Sequence, residues 1–189
     1  MIRIGLVGDI GSGKSYIANN FGYPVFNADI EVGKLYKKDK KIFNKLKKAL
    51  PKFFKSFPVD KNDVTNAILS NKNNLNKIIK IVHFEIRKKL SKFLNKNKKK
   101  KIVILDIPLL LEKKINKKND ILVFVQSKKS DILKRLKKRA NFNEKLISKF
   151  KNIQLSLDYK KKNSKFIIKN NFKKKTVKIA IKNILKEIL

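Results

Sequence analysis

The chain has 189 residues, enough for one well-buried core and too few for two independent domains, with no cysteine and a single histidine. Disulfide frameworks, thiolate metal centres and the usual zinc constellations are thereby excluded, so any metal is expected to be oxygen-ligated. A formal charge of +36 invites a polyanion partner, but only four of the 50 basic residues are Arg and the chain is also crowded with Asn and Ile; a genome rich in A and T is sufficient to produce that mixture.

Ile2 to Val7 reads as a buried strand, the loop Gly8-Asp9-Ile10-Gly11-Ser12-Gly13-Lys14-Ser15 follows, and Lys14 to Phe21 carries a helical pattern. Gly22-Tyr23-Pro24 breaks the chain before a short strand at Val25-Phe26 that ends at Asn27-Ala28-Asp29. From Ile30 to about Asn97 the pattern is helical, with Pro51 and Pro58 as interruptions and Leu75 to Leu94 as one long amphipathic segment. A stretch of about 65 residues exceeds an ordinary crossover of a dozen or more between parallel strands, so it is expected to be a helical insert beside the site. Asn95 to Lys101 is a basic linker, and Ile102 to Asp106 is the next buried strand. Strands at Ile121 to Val125 and Phe166 to Ile168 alternate with helices over Ser130 to Arg139, Glu144 to Lys162 and Thr176 to Leu189. The fold class is therefore α/β, a five-stranded parallel sheet flanked by helices, with no internal repeat. No apolar run reaches 18 residues and the apolar start is too short for a signal peptide, so a soluble, cytoplasmic monomer without membrane or specific nucleic-acid partners is expected.

The loop Gly8 to Ser15 satisfies G-x-x-x-x-G-K-[ST] with the strand before it and the helix after it that the motif requires. Its glycines, Gly8, Gly11 and Gly13 with Ser12 between, let backbone N–H groups face phosphate oxygens, and the helix N-terminus adds positive potential. Lys14 is placed for the β- and γ-phosphates, and Ser15 for Mg²⁺. Asp106, at the end of a strand, suits the second metal-holding acid, with a turn-starting Asp as the plainer reading. Asp29 ends the second strand, on the side where open parallel sheets bind ligands, and is a candidate base for an acceptor hydroxyl or simply a helix cap. Where Lys is the default cation, the four arginines (Arg3, Arg87, Arg135, Arg139) stand out as sites for a planar clamp. Arg135 and Arg139 at i, i+4 can share one helix face and suit a lid over ATP, while His83 and Arg87 form a second such pair in the insert. Asn116-Lys117-Lys118-Asn119 lacks the final Asp of a guanine-reading motif and precedes its strand, which weighs against a GTPase.

Taken together these residues resemble the dephospho-coenzyme A kinase family. The resemblance runs nearly end to end: the phosphate loop, Ala28-Asp29 where the family has D-A-D, Val82-His83 with Arg87, Leu105-Asp106-Ile107-Pro108-Leu109-Leu110-Leu111-Glu112, Arg135 and Arg139, Gln154, and Ile168-Lys169-Asn170-Asn171. It implies a nucleotide-kinase fold with a core over 1–29, 102–126 and 163–189, a CoA-binding insert over about 30–97 and a lid over about 127–162. It further implies ATP and dephospho-CoA as partners, Mg²⁺ as cofactor, and transfer of a phosphoryl group to the ribose 3′-hydroxyl. The implied ATP contacts are Gly8, Gly11, Ser12, Gly13, Lys14, Ser15, Tyr16, Arg135 and Arg139; the acceptor contacts are Asp29, His83, Arg87, Pro108 and Leu109. Catalysis would fall to Asp29, Lys14 and Arg139, and the metal to Ser15 and Asp106. Departures from the family pattern are Asp9 in place of Gly, Tyr16 in place of Thr, Asn27 in place of the first acid of D-A-D, Phe84 in place of Pro, and Ser164-Lys165 in place of Ala-Asp. Two other readings stay open, a different small-molecule P-loop kinase and a nucleic-acid-binding ATPase.

Overall fold

A computed structural model describes residues 1–140 and 142–189. Two compact units are present, the first formed by Met1–Asn27, Asn97–Phe142 and Gln154–Leu189, the second by Ala28–Lys96 and Asn143–Ile153.

The first unit is built on five parallel strands, β1 (Ile2–Gly8), β2 (Val25–Asn27), β3 (Ile102–Asp106), β4 (Ile121–Gln126) and β5 (Phe166–Lys169), in the order β2-β3-β1-β4-β5. β1 and β3 are near-continuous apolar runs because a central parallel strand is covered on both faces. Ile4 pairs in register with Ile104 on one side and Ile121 on the other. Against the sheet pack α1 (Lys14–Asn20) and the C-terminal helix Lys174–Ile188, whose Val177, Ile181 and Ile184 repeat at helical spacing and join Ile17, Ala18, Ile104, Val123 and Ile168 in one core. Arg3 is buried in this unit: its guanidinium meets Asp120 at 2.9 Å and donates to the Ile115 carbonyl at 3.4 Å, clamping the turn that leads into β4. One of the four arginines thus serves a carboxylate of the fold.

The second unit is helical. α2 (Ala28–Lys38), α3 (Lys40–Ala49), α4 (Lys61–Ser70) and α5 (Asn74–Lys96) follow β2 in chain order. Asp39 caps α3 by accepting from the N–H groups of Lys41 and Ile42, and Asp60 caps α4 by accepting from Asn62. Leu35, Ile42, Leu46, Ile78, Val82 and Ile86 are buried.

Two helices depart from expectation. The segment read as one helix over Glu144 to Lys162 is two, α7 (Glu144–Lys151) and α8 (Leu157–Lys162), because the Ser156 hydroxyl accepts from Tyr159 N–H and starts a new helix. The preceding helix, α6 (Lys129–Lys137), stops before Arg139. Leu136 is its last buried residue; Lys137 to Ala140 are all exposed, so nothing remains to bury, and the Arg139 N–H makes a tight bond back to the Leu136 carbonyl. Arg135 and Arg139 therefore do not share a helix face, a correction to the sequence reading.

Candidate active site

The phosphate loop sits at the carboxyl end of β1, and its backbone depends on glycine. Gly13 has φ 94°, and a Cβ there would come within 2.5 Å of the Asn170 amide nitrogen. Gly8, at φ 144°, would put a Cβ within 2.5 Å of the Val125 carbonyl oxygen. From outside, the Ser12 carbonyl accepts from Asn170 Nδ2 at 2.8 Å and from the Ser127 hydroxyl at 3.0 Å. Asn170 is itself held by backbone pairing to Gln126. These outside contacts fix the loop backbone at the N-terminus of α1, where a helix favours an anion. Among the described residues the Ser12 hydroxyl is buried without a hydrogen-bond partner, a polar atom awaiting one. α1 opens at Gly13 with no side-chain cap.

Lys14 is folded back on the loop, its ammonium donating to the Asp9 carbonyl at 2.7 Å and the Gly8 carbonyl at 3.2 Å. The irregular Asp9 turns its carboxylate onto its own loop, where Oδ1 accepts from Ile10 N–H at 2.7 Å. The loop thus absorbs the departure from Gly locally.

Asp106 closes β3, 4 % exposed. Burial raises its carboxyl above the usual carboxylate range; hydrogen bonds from Ser15 and Asn27 and the nearby Lys14 charge act in the opposite direction. Asn27 pairs with Asp106 in the sheet register and donates its amide to Oδ2 at 2.6 Å. An acid at position 27 would face a second carboxylate at this spacing, so the Asn removes a like-charge clash. Lys14 and Ser15 of the phosphate loop and Asp106 at the end of β3, expected to share a site, are brought together. Ser15 and Asp106 are hard oxygen donors of the kind Mg²⁺ takes, and among the described residues no cluster of three or more acids, His or Cys competes with them.

After Asp106 the chain makes turns through Pro108 and Leu109, both half-buried, to Glu112. The Glu112 carboxylate accepts from Lys160 Nζ at 2.8 Å and from Leu155 N–H at 3.1 Å, and Lys160 also donates to Gln154 Oε1 at 2.7 Å. This buried pair ties the segment after β3 to α8. Lys160 escaped the sequence reading because one Lys among so many carries no signal.

Arg135 lies with its guanidinium 4.3 Å from the centroid of the Phe172 ring, and Arg139 is exposed in the turn after α6. Tyr16 points outward from α1, 41 % exposed. In the second unit, Asp29 lies in the first turn of α2, and His83 and Arg87 are neighbours on α5, with Arg87 Nε 3.5 Å from His83 Nδ1. Sequence reasoning missed Ser127 and Phe172 as neighbours of the loop, and quoted Asn170 only for its place in a motif. Their link to Ser12 and Gly13 is purely tertiary.

The geometry meets independent similarity. A family model described as dephospho-CoA kinase matches residues 2–176. The dephospho-CoA kinase of Wolbachia pipientis wMel is 36 % identical over 170 residues, 87 % of each chain. Among solved structures, TT1252 from Thermus thermophilus superimposes with TM-score 0.80 at 25 % identity, covering 100 % of this chain and 98 % of that one. The dephospho-CoA kinase from Campylobacter jejuni shares the fold at TM-score 0.62 and 22 % identity, with 98 % and 96 % covered. With its phosphate loop, its strand-terminal Asp106 and a match over nearly its whole length, the chain belongs to the dephospho-CoA kinase family.

Proposed function

We propose that the protein transfers the γ-phosphoryl group of ATP to the ribose 3′-hydroxyl of dephospho-CoA, giving coenzyme A and ADP, the last step of coenzyme A biosynthesis. The observation that carries this reading is the Ser15–Asp106 pairing beneath an intact phosphate loop in a chain of this family. ATP phosphates would replace the Asp9 and Gly8 carbonyls as partners of Lys14, and the loop amides would take the remaining oxygens. Ser15 and Asp106 would hold Mg²⁺, which neutralises phosphate charge when bound.

Asp29 is the proposed base. It accepts the proton of the 3′-hydroxyl while the new O–P bond forms and the bond from the γ-phosphorus to the β-bridging oxygen breaks, leaving ADP. Arg135 and Arg139 are proposed to spread the charge of the transferring group, and His83, Arg87, Pro108 and Leu109 to hold the acceptor. Catalysis then rests on placement and charge, with no covalent enzyme intermediate.

Incubation with Mg-ATP and a panel of acceptors tests the reaction: dephospho-CoA should be phosphorylated, and phosphorylation of a nucleoside monophosphate instead would sink the assignment. Asp29→Asn should lower turnover at least 100-fold with ATP affinity retained. Near-normal turnover would remove Asp29 from the base role.

A further inference from the structure

Phe172 follows β5 in a conformation aromatic residues rarely adopt, with φ 63°. The turn is held by Asn170, whose Oδ1 accepts from Phe172 N–H at 2.9 Å while its Nδ2 donates to the Ser12 carbonyl of the phosphate loop. One side chain thus anchors both the loop and the aromatic ring. The ring reaches the last glycine of the loop, its edge carbon lying 3.3 Å from where a Cβ on Gly13 would stand. It also carries the Arg135 guanidinium, 4.3 Å from its centroid. Phe172 is only partly buried and lies outside the core cluster, so packing of the hydrophobic core does not explain why an aromatic occupies this left-handed position.

We infer that Phe172 is a positioning residue for Arg135: its ring holds the guanidinium beside Gly13, ready for the phosphates or base of ATP. The inference rests on the assignment of the phosphate loop to ATP. Arg is a long side chain whose ordering opposes binding, and a ring that stacks on it in advance removes part of that cost. Gly at 172 would satisfy the backbone better, so Phe172 trades local strain for a fixed cation.

Four variants and three readouts test this. Phe172→Gly relieves the left-handed conformation while deleting the ring, and Phe172→Tyr keeps the ring. Kd for Mg-ATP by titration calorimetry, and KM and kcat for ATP with dephospho-CoA, should show Phe172→Gly weakened about two- to fivefold in ATP affinity. Its melting temperature should stay near wild type, and Phe172→Tyr should bind ATP and turn over as wild type does. Adding Arg135→Gln to Phe172→Gly should weaken binding no further than Arg135→Gln alone. Wild-type ATP affinity in Phe172→Gly, equal losses in the Gly and Tyr variants, or fully additive losses in the double variant would each overturn the inference. Failure to phosphorylate dephospho-CoA would refute the acceptor assignment alone, because the ATP titrations report on Phe172 without any acceptor.

Discussion

Lys160→Met tests how the segment after β3 is held. Lys160 and Glu112 are 2 % and 6 % exposed at the side chain and meet at 2.8 Å, with Gln154 and the Leu155 N–H completing their hydrogen bonds. Removing the ammonium leaves a buried carboxylate with one backbone donor. The penalty for orphaning one member of such a pair is about 3–5 kcal/mol, of which Met recovers a little through packing. For a chain of this size each kcal/mol shifts the melting temperature by roughly 2–4 °C, so a drop of roughly 10 °C is expected. Urea unfolding at 25 °C measures the free energy directly, and Glu112→Leu should be destabilised in the same direction. Replacing both groups together, Glu112→Leu with Lys160→Met, leaves no orphaned charge and should return most of the loss. A Lys160→Met protein within 1 kcal/mol of wild type, or a double variant as unstable as the two singles summed, would refute the claim that the charges depend on each other.

Gly13→Ala places a Cβ at φ 94° and 2.5 Å from Asn170 Nδ2, so ATP affinity should fall more than about tenfold as the loop shifts; calorimetry showing unchanged affinity would contradict the loop geometry. Asp106→Asn should change both activity and the pH dependence of stability. Turnover should fall on the order of 100-fold with loss of the proposed metal-holding acid. In a chelator, however, the stability of the variant relative to wild type should rise with pH. The wild-type carboxyl, raised on folding by burial, contributes stability in its protonated form and loses it as pH rises through its folded pKa, so the difference between the two should level off as pH falls below that range. Burial pushes the Tyr36 phenol up to about 12, from 10.0. Its contribution is complete below pH 10 and is lost as pH rises through about 12, on the order of 2–3 kcal/mol in total, and Tyr36→Phe should abolish that part of the alkaline destabilisation.

Much of this protein was legible in the chain because the determining forces are local. The strand Ile102–Asp106 was bounded correctly from its unbroken apolar run, and the phosphate loop from a contiguous glycine motif between a strand and a helix. The family resemblance rested on that loop and on Asp106 to Glu112, both contiguous. What contiguity does not encode was decided in three dimensions. The end of α6 depends on where burial runs out after Leu136, and its last turn moved Arg139 off the face of Arg135. Arg3 finds Asp120, Glu112 finds Lys160, and Arg135 finds Phe172 across separations that no periodicity spans. Asn27 shows both levels at once. Its departure from an acid is visible in the sequence, but only the parallel register that sets it against Asp106 gives the reason, an amide where a second negative charge would repel. The sequence alone determined the phosphate-loop motif and the family of kinases to which the chain belongs. Tertiary structure decided which side chains hold the binding groups in place, because those partners meet only when the sheet assembles.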